Sequence, residues 1–380
     1  MVEIKKSYSV PRAITSTRIA FFIAGLSLAT WAPLIPLAKL RLMADNGLMG
    51  MVLLAFGIGS LLMMPLSGVL ASRYGCRVVF VFATLVILAL LPALATFDTP
   101  LTLGLALFVF GSGIGAIDVV VNIHAVQVEK LAANPVMSGF HALFSIGGII
   151  GSGLVSTLII YGFTPLVTIS MVMILILGLL MFTVGGLLNY SESDDSPFFV
   201  IPKGIVIALG ALCFVAYIME GSMLDWSGIL LTNHSSVSSN YAGLSYTVFA
   251  FAMTIGRLLG DRLIKSFGRF SVFLVSSIIS IAGLGVIVST TILFIMISGF
   301  FLIGIGLANI VPILFSAAGR QTTMPNTLAV AAISSIGYAG ILIGPAFIGG
   351  IAHLSNLTTA FTAVAVLSLS IPLCSQLIRK

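Results

Sequence analysis

Apolar stretches of about 20 residues recur from one end of the chain to the other, separated by short polar breaks. That length is enough for a helix to cross a bilayer core about 30 Å thick. Twelve spans are predicted, at 18–38, 47–70, 78–96, 101–126, 138–160, 164–187, 204–226, 242–263, 271–289, 291–316, 328–353 and 356–377. A membrane β-barrel would show segments of about ten residues alternating polar and apolar, and Ile149 to Ile160 carries no such alternation. Backbone groups in lipid must be satisfied within each segment, so an all-α bundle is predicted. Lys5, Lys6, Arg12 and Arg18 give the first span the basic flank of a secretory signal. It runs on through Trp31, Pro33 and Pro36 to Ala38 without a small-residue cleavage pattern, and is read as uncleaved.

Composition agrees with lipid as the main solvent. Hydrophobic residues make up 59% of the chain and charged residues 7%, too little polar surface for a soluble fold. The net charge of +6 is explained by topology. With both termini on the cytoplasmic side, about 15 of the 17 Lys and Arg residues fall on or near that side, leaving Lys39 and Arg41 outside. The main clusters are Arg73 and Arg77, then Arg262, Lys265 and Arg269, and no nucleic-acid partner is needed. Cys76, Cys213 and Cys374 have neither metal-ligand nor disulfide-framework spacing and read as small apolar filler. No nucleotide-binding loop, metal triad or nucleophile-and-base constellation is found, so no cofactor, no metal and no enzymatic or ATP-driven activity is expected.

The extended polar linker, Tyr190 to Lys203 with Glu192, Asp194 and Asp195, falls after six spans and divides the chain into halves at 1–189 and 204–380. Several features recur at an offset of about 191 to 195 residues. Gly75 pairs with Gly268, Gly113 and Gly115 with Gly304 and Gly306, and Asp118 with Asn309. Gly147 and Gly151 pair with Gly340 and Gly344, and Trp31 with Trp226. In order and at nearly one offset, these point to a parallel duplication.

Six plus six helices, a central linker and short basic turns after the second and eighth spans resemble the major facilitator superfamily over the whole chain. That family's signature after the second helix is Gly, then Leu, Asp, Arg, Gly and basic residues. Here Gly68, Leu70, Ser72, Arg73, Gly75 and Arg77 stand in that turn, with serine in the acid's place. The second copy reads Asp261, Leu263, Lys265, Gly268 and Arg269, with Asp261 and Arg262 as a shifted charge pair. The resemblance implies that these turns form a cytoplasmic gate. Gly113, Gly115, Asp118 and Asn122, followed by His141, Ser145 and Gly147, resemble the fucose permease branch, and the segment Glu220, Gly221, Asp225, Trp226, Ser227 resembles a set of uncharacterised bacterial relatives of that branch. Thr30 to Pro36 lacks the acid that branch carries in its first helix, and apolar residues around Val109 replace the arginine common in drug antiporters.

An ionisable group at membrane depth costs at least ~2.5 kcal/mol unless it faces a cavity or a partner. Of the eleven acids, eight lie in loops or near helix ends; Asp118 and Glu220 are the clearest exceptions, with Asp225 near the outer interface. A buried carboxylate that titrates near neutral pH can take a proton from one side and release it to the other, so Asp118 and Glu220 are the proton-coupling candidates. Asn122, four residues after Asp118, shares its helix face; an interhelical hydrogen bond is the structural alternative for both. Glu220, about 25 Å along its helix from Lys203 at 1.5 Å per residue, is placed in the outer half, with a frayed helix end near Gly221 and Asp225 as the alternative. Further solute-binding candidates are His141, Trp31, Asn309 and Tyr338, against capping, interfacial anchoring or core packing. His124, His234 and His353 read as interfacial or loop residues. Gly340, Gly344, Gly349 and Gly350 support close helix packing.

The leading expectation is a secondary transporter of the bacterial inner membrane, monomeric, its halves rocking about a central cavity to carry a small polar solute, a sugar on the resemblance, together with protons. Proton-driven efflux of an amphipathic compound is the alternative within transport. A sensor that has kept the fold and lost turnover is the alternative outside it.

Overall fold

A computed structural model describes residues 9–44, 46–188, 201–235 and 243–379. Its helices are α1 Val10–Thr30, α2 Ile35–Arg41, α3 Asn46–Tyr74, α4 Cys76–Thr96, α5 Pro100–Ala132, α6 Met137–Ile160, α7 Pro165–Val184, α8 Ile205–Ser235, α9 Gly243–Phe267, α10 Arg269–Ser289, α11 Leu293–Leu307, α12 Ile310–Arg320, α13 Asn326–Leu354, α14 Leu357–Ser368 and α15 Ser370–Leu373. Among the described residues, eleven helical segments are long and apolar enough to cross a membrane, and the shorter Leu357–Leu373 completes the twelve. The protein is an all-α, multi-pass membrane protein. The linker segment 190–200, Lys5, Lys6 and the side chain of His234 lie outside the described residues.

Hydropathy located every span and misjudged several ends. The first helix starts at Val10 and is interrupted after Thr30, where a short 3-10 turn, Ala32–Leu34, precedes α2. Pro33 accounts for the interruption, since it lacks an N–H and crowds the preceding turn. α5 continues six residues past the predicted end at 126, and α8 nine past 226. Their last turns carry Glu129, Lys130, Asn233 and His234, which a hydropathy window discounts although the helical backbone continues through them. Thr99 and Thr164 cap α5 and α7 by accepting N–H bonds from Thr102 and Val167, ahead of Pro100 and Pro165. At the other end of α4, the Arg41 guanidinium donates to the carbonyls of Leu94, Ala95 and Phe97 at 2.8–2.9 Å. Those are carbonyls a helix C-terminus leaves unpaired. Partial burial lowers the Arg41 pKa and Asp98 acts in the opposite sense, and the guanidinium stays charged throughout.

The chain divides into two compact units. The first comprises Met1–Ala133, Leu143–Ile201 and Pro325–Ala331; the second comprises Asn134–Ala142, Pro202–Met324 and Ala332–Lys380. Within each unit, glycines let helix backbones touch. A Cβ on Gly111 would lie 2.1 Å from the Phe56 carbonyl oxygen, and in the second unit a Cβ on Gly304 would lie 2.3 Å from that of Phe249. Gly113 meets Ile87 as Gly306 meets Ser280, and Gly147 meets Phe22 as Gly340 meets Phe214. Gly75 and Gly268, each the single residue between consecutive helices, have φ +81° and +78°, a conformation open in practice only to glycine.

These matching contacts set the repeat at 193 residues for all but the α1 and α8 partners, which stand 192 apart. That corrects the sequence pairing by two positions in α5 and α11. Gly111 and Gly113 are the counterparts of Gly304 and Gly306, Asp118 matches Val311, and Asn309 matches Ala116. Trp31 likewise aligns with Met223 and not with Trp226. Matching by identity in a glycine-rich chain selected equal letters over equal contacts.

Candidate functional site

In the first unit, Asp118 sits about 27 Å from the start of α5 and about 21 Å from its end at 1.5 Å per residue. From 113 to 126 every residue is buried except Asp118, which is partly exposed. The helix's exposed stripe, Leu101, Leu105 and Val109, points roughly 140° away from it at 100° per residue. Asp118 therefore opens onto accessible space away from that apolar stripe. Its carboxylate has no hydrogen-bond or ion-pair partner among the described residues. Asn122, 1% exposed, donates from Nδ2 to the Asp118 carbonyl at 2.9 Å, and its Oδ1 is buried without a partner. The two share a helix face as expected, but the amide engages the backbone and leaves the carboxylate alone. Trp31, at the break after α1, is 5% exposed with its indole N–H unpartnered.

Near the cytoplasmic end predicted for this unit, His124 is buried, contrary to its reading as interfacial. Its Nε2 accepts the Leu188 N–H at 2.8 Å, so Nδ1 carries the proton and donates to Thr17 Oγ1 at 3.0 Å; that hydroxyl donates onward to the Ala13 carbonyl. Arg77, a gate candidate, donates Nε to the Leu187 carbonyl at 3.0 Å and approaches it with Nη2 as well. Gly68 lies against the first turn of α13, where an added Cβ would come within 2.5 Å of Ala331 Cβ. Ser72, in the acid's place, bonds the Val69 carbonyl, and Arg73 is half-buried in the last turn of α3.

In the second unit, Glu220 is at the midpoint of α8, fifteen residues from each end. The helix runs unbroken past Gly221 and Asp225, so the frayed helix end offered as the alternative does not hold. Arg257 of α9 approaches Glu220, Nη2 to Oε2 3.7 Å, their side chains 7% and 31% exposed. Arg257 was missed because all basic residues were assigned to topology; it lies ten residues, about 15 Å, inside the Phe267 end of its helix. Tyr246 is within electrostatic reach of Glu220, Arg257 and Asp225, and His141 within reach of Arg257. The His141 ring lies 5.8 Å from that of Phe315. Tyr338 is half-buried on α13.

Asn309 interrupts the span between α11 and α12, donates Nδ2 to the Gly256 carbonyl at 3.0 Å and leaves Oδ1 buried without a partner. One turn along α9, Asp261 accepts the N–H groups of Ser138 and Gly139, the first turn of α6, at 3.0 and 2.9 Å. A carboxylate there satisfies donors a helix start leaves unpaired and complements the dipole. Arg262 is exposed and makes no bond or ion pair among the described residues, so the expected shifted charge pair with Asp261 is replaced by this cap. Arg269 opens α10 immediately after Gly268. Among the described residues no group of three His, Cys, Asp or Glu is placed to hold a metal.

Twelve apolar helical segments among the described residues and a repeated helix scaffold make this a polytopic membrane protein. Residues 18–213 match the model of the Major Facilitator Superfamily, and the chain belongs to that family. It is 51% identical over 357 residues to an uncharacterised MFS-type transporter of Yersinia pestis, covering 94% of this chain and 93% of the relative. Among solved structures it is similar to the human organic anion transporter MFSD10 (TETRAN), with TM-score 0.78, 16% identity and coverage of 97% and 99%. It is also similar to FucP in the outward conformation, with TM-score 0.77, 13% identity and coverage of 97% and 98%.

Proposed function

We propose that this member of the superfamily is a proton-coupled secondary transporter of the bacterial inner membrane that moves a small polar solute by alternating access. Asp118 carries the reading. It is an unpaired carboxylate deep in a spanning helix, turned from that helix's exposed apolar stripe and partly accessible in a buried stretch. Such a group is costly to keep and suited to taking and releasing a proton. Glu220 is the second proton-carrying group, with one loose counter-ion contact. Solute contacts are assigned to Trp31 and Asn122 in the first unit and to His141, Asn309 and Tyr338 in the second; the buried, unpartnered indole N–H of Trp31 and amide oxygens of Asn122 and Asn309 support this. Gly68, Arg73, Gly75, Arg77, Asp261, Arg262, Gly268 and Arg269 belong to the gate. The protein works as a monomer.

Purified protein in proteoliposomes, given an inward pH gradient, accumulates its solute, and a protonophore abolishes the accumulation. Uptake unchanged by the protonophore removes proton coupling. Efflux of an amphipathic compound is the second reading, favoured by an apolar groove of about 450 Å³ lined by Met63, Tyr74, Phe82, Val109, Gly113 and Ala116. Energy-dependent exclusion of a lipophilic dye by cells expressing the protein would select it.

A further inference from the structure

The second unit breaks a helix that its repeat partner keeps whole. α5 runs from Pro100 to Ala132 without interruption, whereas the matching stretch is divided into α11 and α12 at Ala308 and Asn309. The glycines that fix the register, Gly304 and Gly306, lie within one or two turns of the break, so the interruption falls inside an otherwise matched pair. In that register Asn309 and Pro312 stand where α5 has Ala116 and Val119. Pro312 has no N–H to give the Ala308 carbonyl four residues back, and its ring crowds that carbonyl. Proline alone does not break a helix in this chain, because Pro65, Pro92 and Pro345 lie inside unbroken ones. Asn309 supplies the difference.

Asn309 is the N-cap of α12, and its carbonyl accepts the Ile313 N–H at 3.1 Å. Asparagine is favoured at that position because its side-chain oxygen can accept an N–H of the first turn. Here the side chain makes no such cap. Its Nδ2 donates instead to the Gly256 carbonyl of α9 at 3.0 Å, and Oδ1 is buried with no partner. The nitrogen is fixed by this bond, since only a donor can meet a carbonyl. A Cβ on Gly260 would lie 1.8 Å from Oδ1 and 2.7 Å from Ser138 Oγ, so the amide is wedged between α9 and the first turn of α6. A buried acceptor left unsatisfied costs about 1–3 kcal/mol. The amide thus clasps a neighbouring helix while forgoing the cap of its own.

We infer that α12 is a hinged segment, pivoting at Asn309 as that side chain exchanges the Gly256 carbonyl of α9 for the Val311 N–H of its own helix. Val311 is the donor a cap can use, because Pro312 has none. Hinges are short stretches at element ends that absorb a change in backbone angles, and Asn309, at φ −107° and ψ −2°, already stands off the helical values. The two units then divide the work. The first carries Asp118 on a continuous helix, and the second bends. The hinge goes beyond the proton-coupling proposal, and only its place in a transport cycle rests on the alternating-access reading above. The solute contact assigned to Asn309 is open at Oδ1 in the clasped arrangement and closed in the capped one.

The test is amide hydrogen exchange on the full chain in lipid nanodiscs, with no solute added. Segments 310–319 and 117–126 are repeat partners and equally buried apart from Asp118, so burial alone gives them equal protection. The hinge predicts that 310–319 exchanges about tenfold or more faster, through local opening. Asn309→Ala combined with Pro312→Val gives α12 the residues of α5 and should slow the segment to the rate of 117–126. Asn309→Asp keeps the acceptor of a cap and loses the donor of the clasp, and should exchange faster than wild type. Ser316→Cys with Cys374→Ser should react with a charged methanethiosulfonate, whereas Ile123→Cys, its partner position in α5, should not. Equal exchange of the two segments in wild type overturns the inference, a result that needs no variant to fold. Exchange unchanged in both Asn309 variants also overturns it. A solute that accumulates in proteoliposomes while the two segments exchange equally keeps the transport reading and removes the hinge. Faster exchange of 310–319 with a protonophore-insensitive uptake does the reverse, keeping the hinge and removing proton coupling.

Discussion

Arg77 and His124 hold opposite ends of one peptide group. The guanidinium takes the Leu187 carbonyl and the imidazole Nε2 takes the Leu188 N–H of the same amide. This grip sits where the chain leaves α7, and through Thr17 it ties that exit to α1. His124→Ala strands a buried backbone N–H, which costs about 1–3 kcal/mol. Thermal unfolding in detergent should show the loss, and Thr17→Val should show a smaller one. Because both act through one network, the double variant should lose less than the two losses combined.

The repeat register makes a paired prediction. Gly111→Ala and Gly304→Ala each push a methyl into a backbone carbonyl, at 2.1 and 2.3 Å. Both should destabilise by about 1–3 kcal/mol, the usual cost of overpacking. Gly104→Ala, with nothing within 4 Å of the added carbon, should be neutral or stabilise by up to about 1 kcal/mol. Melting temperatures of the three variants check the signs.

Asp261 anchors the start of α6, so Asp261→Ala should release the amides of Ser138 and Gly139. Hydrogen exchange at those two amides should quicken by about tenfold or more, since a bond to a charged group is worth about 1.5–3 kcal/mol. Asp261→Asn keeps an acceptor and should fall between. Gly260→Ala should disturb the same place, its added carbon falling 1.8 Å from Asn309 Oδ1. Unchanged exchange in Asp261→Ala would show that the cap does not hold the helix.

The scaffold was legible in the sequence because bilayer thickness imposes a length on every span and twelve apolar runs meet it. Asp118 was legible for the same reason, being an acid far from any predicted end. Glu220 was found, and the frayed end offered as its alternative arose because polar residues in the last turns of α8 made the helix look nine residues shorter than it is. His124 was misread through the same shortening of α5. Arg257 was hidden by a rule that is right for most basic residues, that they mark the cytoplasmic side; it lies ten residues inside the Phe267 end of α9. Asn309 was matched to Asp118 through neighbouring glycines, and only the helix contacts show the two-residue slip. The cap made by Asp261 joins residues more than 120 positions apart, and nothing local signals it.

The central claim is that Asp118 carries a proton in the transport cycle. The most direct measurement is pH-gradient-driven uptake of labelled gluconate and labelled fucose into proteoliposomes bearing wild type or Asp118→Asn, alongside solute exchange with no gradient imposed. The account predicts that Asp118→Asn loses accumulation of the transported solute about tenfold or more while exchange stays within about twofold of wild type. Wild-type accumulation by Asp118→Asn would contradict it.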